Sequence, residues 1–262
     1  MGLFRIEKRD RIKKYIDEEN FHELLRRRKF ESFNPNILNL GDISQPSNQI
    51  AAVCAIVDLS GFTNFCQQVD PQLAVPEYLS SFLTWFFDEL RQASMHEEHK
   101  EGIHLYSSLP FYLKFLGDGV LLLWDSEGME SMEINNIVVI LWNICSQYKS
   151  DFLPRIRTQV SRAPEALRCG ISRGHVFSVG NGEDYVGACI NIAARLQKLG
   201  SLSFVVSRRG FNLPPGPEFP FRDTLIVKKV EIRGIGDGEL VYVVEEEFDQ
   251  VRPDERNLFS EP

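Results

Sequence analysis

Cysteine is sparse in this sequence, and its arrangement excludes two common uses. Cys54, Cys66, Cys145, Cys169 and Cys189 are scattered over 262 residues, with no Cys-x-x-Cys pair among them. An odd, dispersed set gives neither a disulfide framework nor a zinc site, and it fits a reducing, cytoplasmic location. No run of about twenty apolar residues occurs, so no membrane span is expected. The N-terminal stretch Met1 to Lys8 lacks an apolar signal core, and Ile6 breaks the usual myristoylation pattern. An excess of basic charge is missing too. With 29 Lys and Arg against 37 Asp and Glu, the net charge is −8, which disfavours non-specific nucleic-acid binding. No internal repeat is visible.

What is present suffices for a sizeable core: 43% apolar residues, 19 of all residues being phenylalanine. The length suits one large domain with short appendages. Residues 1–48 read as a charged helical extension and linker. Ile6, Ile12, Ile16, Phe21, Leu24 and Leu25 give a loose helical rhythm, Arg26-Arg27-Arg28-Lys29 reads as a solvated helix end, and Asn34 to Asn48 is rich in linker residues. Residues 49–248 read as the globular domain, and 249–262 as a flexible tail.

Within the domain, Ile50 to Val57 is a continuous apolar run ending in Asp58, the pattern of a buried strand. A carboxylate there needs a cation or hydrogen bonds, unless it is simply a helix N-cap. Leu59-Ser60-Gly61-Phe62-Thr63-Asn64-Phe65 reads as a turn opening a helix, where backbone N–H groups can hold phosphate. From Glu77 to Gln92 the apolar positions share one helical face. His96-Glu97-Glu98-His99 reads as a solvated helix end rather than a metal site. Tyr112 to Trp124 places two strand-like runs around Gly117-Asp118-Gly119, a hairpin composition. Another amphipathic helix carries Met132, Ile137, Leu141, Ile144 and Tyr148, and residues 151–166 look irregular. Leu167 to Gly180 reads as two strands joined through Arg173-Gly174. After a loop at Asn181 to Asp184, Tyr185 to Leu196 reads as helical, with Asn191 and Arg195 one turn apart on a face. That pair is either suited to an anionic transition state or an exposed pair of no consequence. Further strands are expected at 202–207, 225–230 and 239–244, with a Gly-rich turn at Arg233-Gly234.

In their order, these pieces resemble the catalytic domain of class III nucleotidyl cyclases. The motifs are Asp58-Leu59-Ser60-Gly61-Phe62-Thr63, Lys114-Phe115-Leu116-Gly117-Asp118, Gly170-Ile171-Ser172-Arg173-Gly174, Tyr185-Val186-Gly187, Asn191-Ile192-Ala193-Ala194-Arg195 and Arg233-Gly234. The resemblance covers roughly residues 50–246. It implies an α+β fold with a ferredoxin-like βαββαβ core, paired head-to-tail as a homodimer with composite active sites. It also implies a nucleoside triphosphate substrate and two divalent metal ions, Mn2+ or Mg2+, held by Asp58, Asp118 and the Leu59 carbonyl. Phe62 and Thr63 match the phosphate-wrapping turn, and Asn191 and Arg195 the catalytic pair. Arg233 falls where the family usually has a phosphate-binding lysine. Arginine keeps that charge with a wider fork.

Lys114 and Asp184 match the base-reading pair. A donor and an acceptor fit adenine's N1 and N6 amine, cytosine's N3 and N4 amine, and uracil's O4 and N3–H. The family's guanylate cyclases tend to carry glutamate at the Lys114 position, which disfavours guanine. A cyclase without a recognisable sensor domain resembles the pyrimidine cyclases of Pycsar antiphage defence, whose product is read by a separate cyclic-nucleotide effector. Bulky Tyr112, Phe115, Phe62 and Phe65 would shorten the pocket, unless they are core. UTP conversion to cyclic UMP is therefore expected ahead of CTP to cyclic CMP. The alternatives are a soluble adenylate cyclase and a non-catalytic nucleotide-binding module. The Gly-Gly-Asp/Glu-Glu-Phe signature of diguanylate cyclases is absent.

Overall fold

The computed structural model describes residues 31–99, 102–105, 107–213, 224–232, 234 and 238–262, with backbone alone at 96–99 and 102–105 and at two short N-terminal pieces. The chain divides into two compact units, residues 1–48 with 177–186, and residues 49–176 with 187–262.

The larger unit is organised around β1 (Gln49–Ser60), buried almost continuously from Ala52 to Leu59. A strand covered on both faces must be apolar at successive positions, which is why this stretch does not alternate. Then come α1 (Pro71–Ser94), β2 (Tyr112–Phe115), β3 (Gly119–Asp125), α2 (Ser131–Gln147) and β4 (Ala166–Val179). That is a βαββαβ succession, and its strands lie in the order β4-β1-β3-β2. On the far side of β4 the sheet continues through β6 (Phe204–Ser207), β8 (Glu239–Val244), β7 (Leu225–Val230) and β9 (Phe259–Ser260). The helix α3 (Ala188–Leu196) precedes β6.

One face of the sheet packs on α1 and α2. Val53, Ala55, Val57 and Leu59 of β1 share a core with Tyr78, Phe82, Phe86 and Leu90 of α1 and with Ile137, Leu141 and Ile144 of α2. Such period-two against period-3.6 matching fixes the strand register, since a one-residue slip would turn β1 over. A second cluster joins Ile192 and Leu196 of α3 to Val205, Val230, Val241 and Val243. The α1–α2 layer is tied by buried phenols. Tyr148 donates to the Pro164 carbonyl at 2.6 Å, which leaves Tyr78 as the donor in its 2.7 Å contact with Tyr148. Trp85 and Phe152 pack beside them, 5.0 Å between ring centroids.

In the smaller unit, Phe4–Ile6 and Glu23–Leu25 pair as short parallel strands, not as helix. The rest of residues 1–30, including Arg26 to Lys29, lies outside the described residues, and in the linker stretch that follows Pro35–Leu38 forms a 3-10 turn. β5 (Asp184–Val186) pairs with Phe177 to Val179 at the end of β4.

Several elements differ from their sequence reading. β4 runs unbroken through Arg173-Gly174. Tyr185 and Val186 are extended, and the helix starts only at Ala188. Residues 151–166 are partly helical, with a π-type turn at Tyr148–Phe152 followed by a helix at Leu153–Ile156. His96 to His99 lie in a strand (Met95–His99) paired with Gly102–Leu105, not at a helix end. The C-terminal stretch is no flexible tail. β9 pairs with β7, the Glu231 amide donates to the Leu258 carbonyl at 2.8 Å, and Phe259 meets Phe248 edge-on at 5.2 Å.

Candidate active site

The β2–β3 hairpin brings two carboxylates to one end of the sheet. Asp58 sits opposite Gly119 in the antiparallel β1–β3 register. The Leu59 amide donates to the Asp118 carbonyl at 2.9 Å, and the Leu116 amide closes the turn on the Gly119 carbonyl at 2.8 Å. Gly119 permits this approach, because a Cβ there would lie 2.1 Å from the Val57 carbonyl oxygen. The glycine in Gly117-Asp118-Gly119 is therefore a packing requirement of the site as much as a turn residue. Asp118 is exposed at the tip, whereas Asp58 is only 7% exposed.

A cation satisfies Asp58, and it is one the sequence reading did not name. Arg168, on the neighbouring strand β4, donates to Asp58 Oδ2 through Nε at 3.1 Å and through Nη2. Burial, the largest influence, pushes the Asp58 carboxyl above the usual range. The hydrogen bonds and charge of Arg168 oppose that, the negative charge of Asp118 adds to the rise, and Lys198 lowers it again. The N-cap alternative for Asp58 falls, since β1 continues two residues beyond it and Gly61 caps the next helix. A signal for Arg168 did exist: it is the one charged residue in the apolar run Leu167-Arg168-Cys169-Gly170-Ile171. Its partner lies 110 residues away, so spacing could not pair them.

The remaining candidates sort by element. Phe62 and Thr63 open the four-residue helix Phe62–Phe65 directly after β1. Thr63 is exposed, while the Phe62 ring packs 5.7 Å from Phe65 and 6.5 Å from Tyr78. Phe65 is a core residue. Asn191 and Arg195 are both exposed on α3, one turn apart, while Ile192 and Leu196 anchor the adjoining face in the core. Gly234, at φ +80°, leaves space for Arg195, whose Nη1 would stand 3.1 Å from a Cβ at that position. Gly234 thus adjoins Arg195, while Arg233 itself lies outside the described residues. Lys114 is on β2 in the larger unit, among exposed Leu113, Phe115 and Leu116. Asp184 belongs to the smaller unit and accepts from the Tyr185 amide at 2.8 Å.

Among the described residues no group of three or more His, Cys, Asp or Glu is placed to hold a metal ion. The donor set is two carboxylates and backbone oxygen, hard ligands that fit Mg2+ or Mn2+ completed by water and phosphate. A guanidinium already neutralising Asp58 shows that this carboxylate faces a cation. No helix of the described residues is long and apolar enough to cross a membrane.

No protein-family model matches the sequence, and no curated protein does either. Solved structures do. The chain is similar to the guanylyl cyclase Cya2, with 16% identity and a TM-score of 0.56, covering 76% of this chain and 94% of that one. It is similar as well to the adenylyl cyclase CyaB from P. aeruginosa, with 15% identity and a TM-score of 0.56, covering 76% and 96% respectively. At such identities the likeness is one of fold. The α+β core described above has the fold of adenylyl and guanylyl cyclase catalytic domains.

Proposed function

We propose that this chain is a nucleotidyl cyclase that converts a nucleoside triphosphate to a 3′,5′-cyclic mononucleotide and diphosphate. The observation that carries the reading is the pairing of Asp58 with the Asp118 hairpin at one end of a cyclase-type sheet. In the reaction the 3′-hydroxyl gives up its proton to solvent as its oxygen attacks the α-phosphorus, the bond from that phosphorus to the α,β-bridging oxygen breaks, and diphosphate leaves with that electron pair. Divalent ions bound with the substrate would activate the 3′-oxygen and neutralise the phosphates. Asp58 and Asp118, with the Leu59 carbonyl, would hold those ions. The first turn after β1, at Phe62 and Thr63, wraps the phosphates, and Arg233 holds the departing diphosphate. Asn191 orients the ribose, and Arg195 meets charge as it develops on the transferring phosphorus. Metal ligands and the Asn191/Arg195 pair act across a homodimer, each site drawing on two subunits.

Lys114 and Asp184 read the base edge. The reading favours a pyrimidine, UTP before CTP, with the cyclic product a second messenger of antiphage defence acting on a separate effector. The same donor and acceptor suit adenine, so cyclic AMP is the competing product. The test is direct. Purified protein with Mn2+ receives ATP, GTP, CTP and UTP separately, and the products are identified by mass spectrometry. Cyclic UMP is expected to dominate; cyclic AMP alone would remove the pyrimidine reading, and no cyclic product from any of the four would remove the enzyme.

A further inference from the structure

Asp58 and Arg168 form the most enclosed carboxylate–guanidinium contact at the site, their side chains 9% and 22% exposed. Both N–H groups of the guanidinium converge on one oxygen, Oδ2. Charge-assisted bonds of this kind are strong, and partial burial spares them most of the screening that weakens surface pairs. The backbone of Arg168 is pinned as well, lying in β4 between buried Leu167 and Cys169. Only the side chain can withdraw. A divalent ion approaching Asp58 therefore meets a positive charge already seated on the oxygen it needs, and like charges that close repel strongly when partly desolvated.

We propose that Arg168 is a resident competitor for the divalent ion: its guanidinium holds Asp58 Oδ2, and a metal ion gains that oxygen only by displacing it. The inference rests on Asp58 being a metal ligand. One side chain then sets how much free cation is needed before the site loads. Asp118, exposed at the hairpin tip, offers an approaching ion its first carboxylate, and the exchange at Asp58 follows.

The test needs no turnover. Mn2+ is titrated into the purified full chain without nucleotide, and binding is read from the loss of the free-ion electron paramagnetic resonance signal. Arg168→Gln is expected to bind Mn2+ about tenfold or more tightly than the parent chain. Arg168→Lys keeps a charge without the fork and should fall between the two. Adding Asp58→Asn to Arg168→Gln should erase the gain. Equal or weaker binding by Arg168→Gln overturns the competitor role while leaving Asp58 as a ligand. No binding by any of these chains at millimolar Mn2+ overturns the competitor role and the metal reading together. Should circular dichroism show that the glutamine variant is unfolded, Arg168→Lys decides, and binding no tighter than the parent's overturns the proposal.

Discussion

Asp118 contributes to the structure through its backbone and to the proposed chemistry through its side chain. The carbonyl receives the Leu59 amide, while the carboxylate stands exposed. The two roles are separable by truncation. Asp118→Ala should lower cyclase turnover on the order of 100-fold or more, yet change stability by less than about 0.5 kcal/mol, as exposed substitutions do. Product formation and urea denaturation of the same preparation check this. Unfolding of the variant would assign the carboxylate a structural role instead. At this scale the sequence was readable wherever a residue and its neighbours in the chain stated its local placement together. Gly117-Asp118-Gly119 did so, and so did Asn191 with Arg195 on one helical face. Arg168 did not, because its meaning is a contact across 110 residues. Periodicity marks which way a side chain faces and not what it meets there.

Among the elements, β1, α2, β3, β7 and β8 stood out because apolar runs and periodic stripes follow from burial. β4 was misread for an identifiable reason. Gly174 looks like turn punctuation, but a Cβ there would stand 3.3 Å from that of Cys189, so the residue is small to admit α3 against the strand. The Ser172 hydroxyl, bonded to the Cys189 carbonyl, fastens the same contact. The start of α1 was set too late, since Pro76 suggests a break whereas Pro71 in fact occupies the first turn, where its missing N–H costs nothing. The junction of α1 with the π-type turn yields a prediction about alkaline pH. Burial, foremost, pushes Tyr148 up to about 12 and Tyr78 higher still. A phenol raised in the native state contributes stability that is intact below its unfolded value near 10 and lost as pH climbs through the native one. Each such group contributes a loss of about 1 kcal/mol per pH unit above pH 10, and the buried thiols of Cys54 and Cys169, also raised by burial, add to it. Tyr78→Phe leaves the Tyr148 bond to Pro164 in place and should lower that slope by about 1 kcal/mol per pH unit, at a cost of about 1 kcal/mol below pH 10. Urea denaturation at successive pH values between 9 and about 11.5 reads both numbers.

For the whole molecule, the proposed homodimer makes a prediction that no property of one chain can mimic. Asp118→Ala damages one contribution to a composite site and Arg195→Ala the other, so each variant alone should be inactive. Mixed and allowed to exchange subunits, they should form heterodimers holding one intact site, and an equimolar mixture should recover about a quarter of parental turnover. A mixture as inactive as its components would place all the groups of one site on one chain. Composition carries no trace of such an arrangement; the expectation of it comes only from the family that the order of the motifs resembles.

The C-terminal strand β9 has a consequence for assembly. β7 without it would end the sheet with unpaired amides and carbonyls, a template onto which another chain could add a strand. Phe259 and Ser260 occupy that template, and Glu261 holds the Lys228 ammonium at 2.6 Å beside it. Residues 259–261 thus cover this edge at Lys229 and Val230.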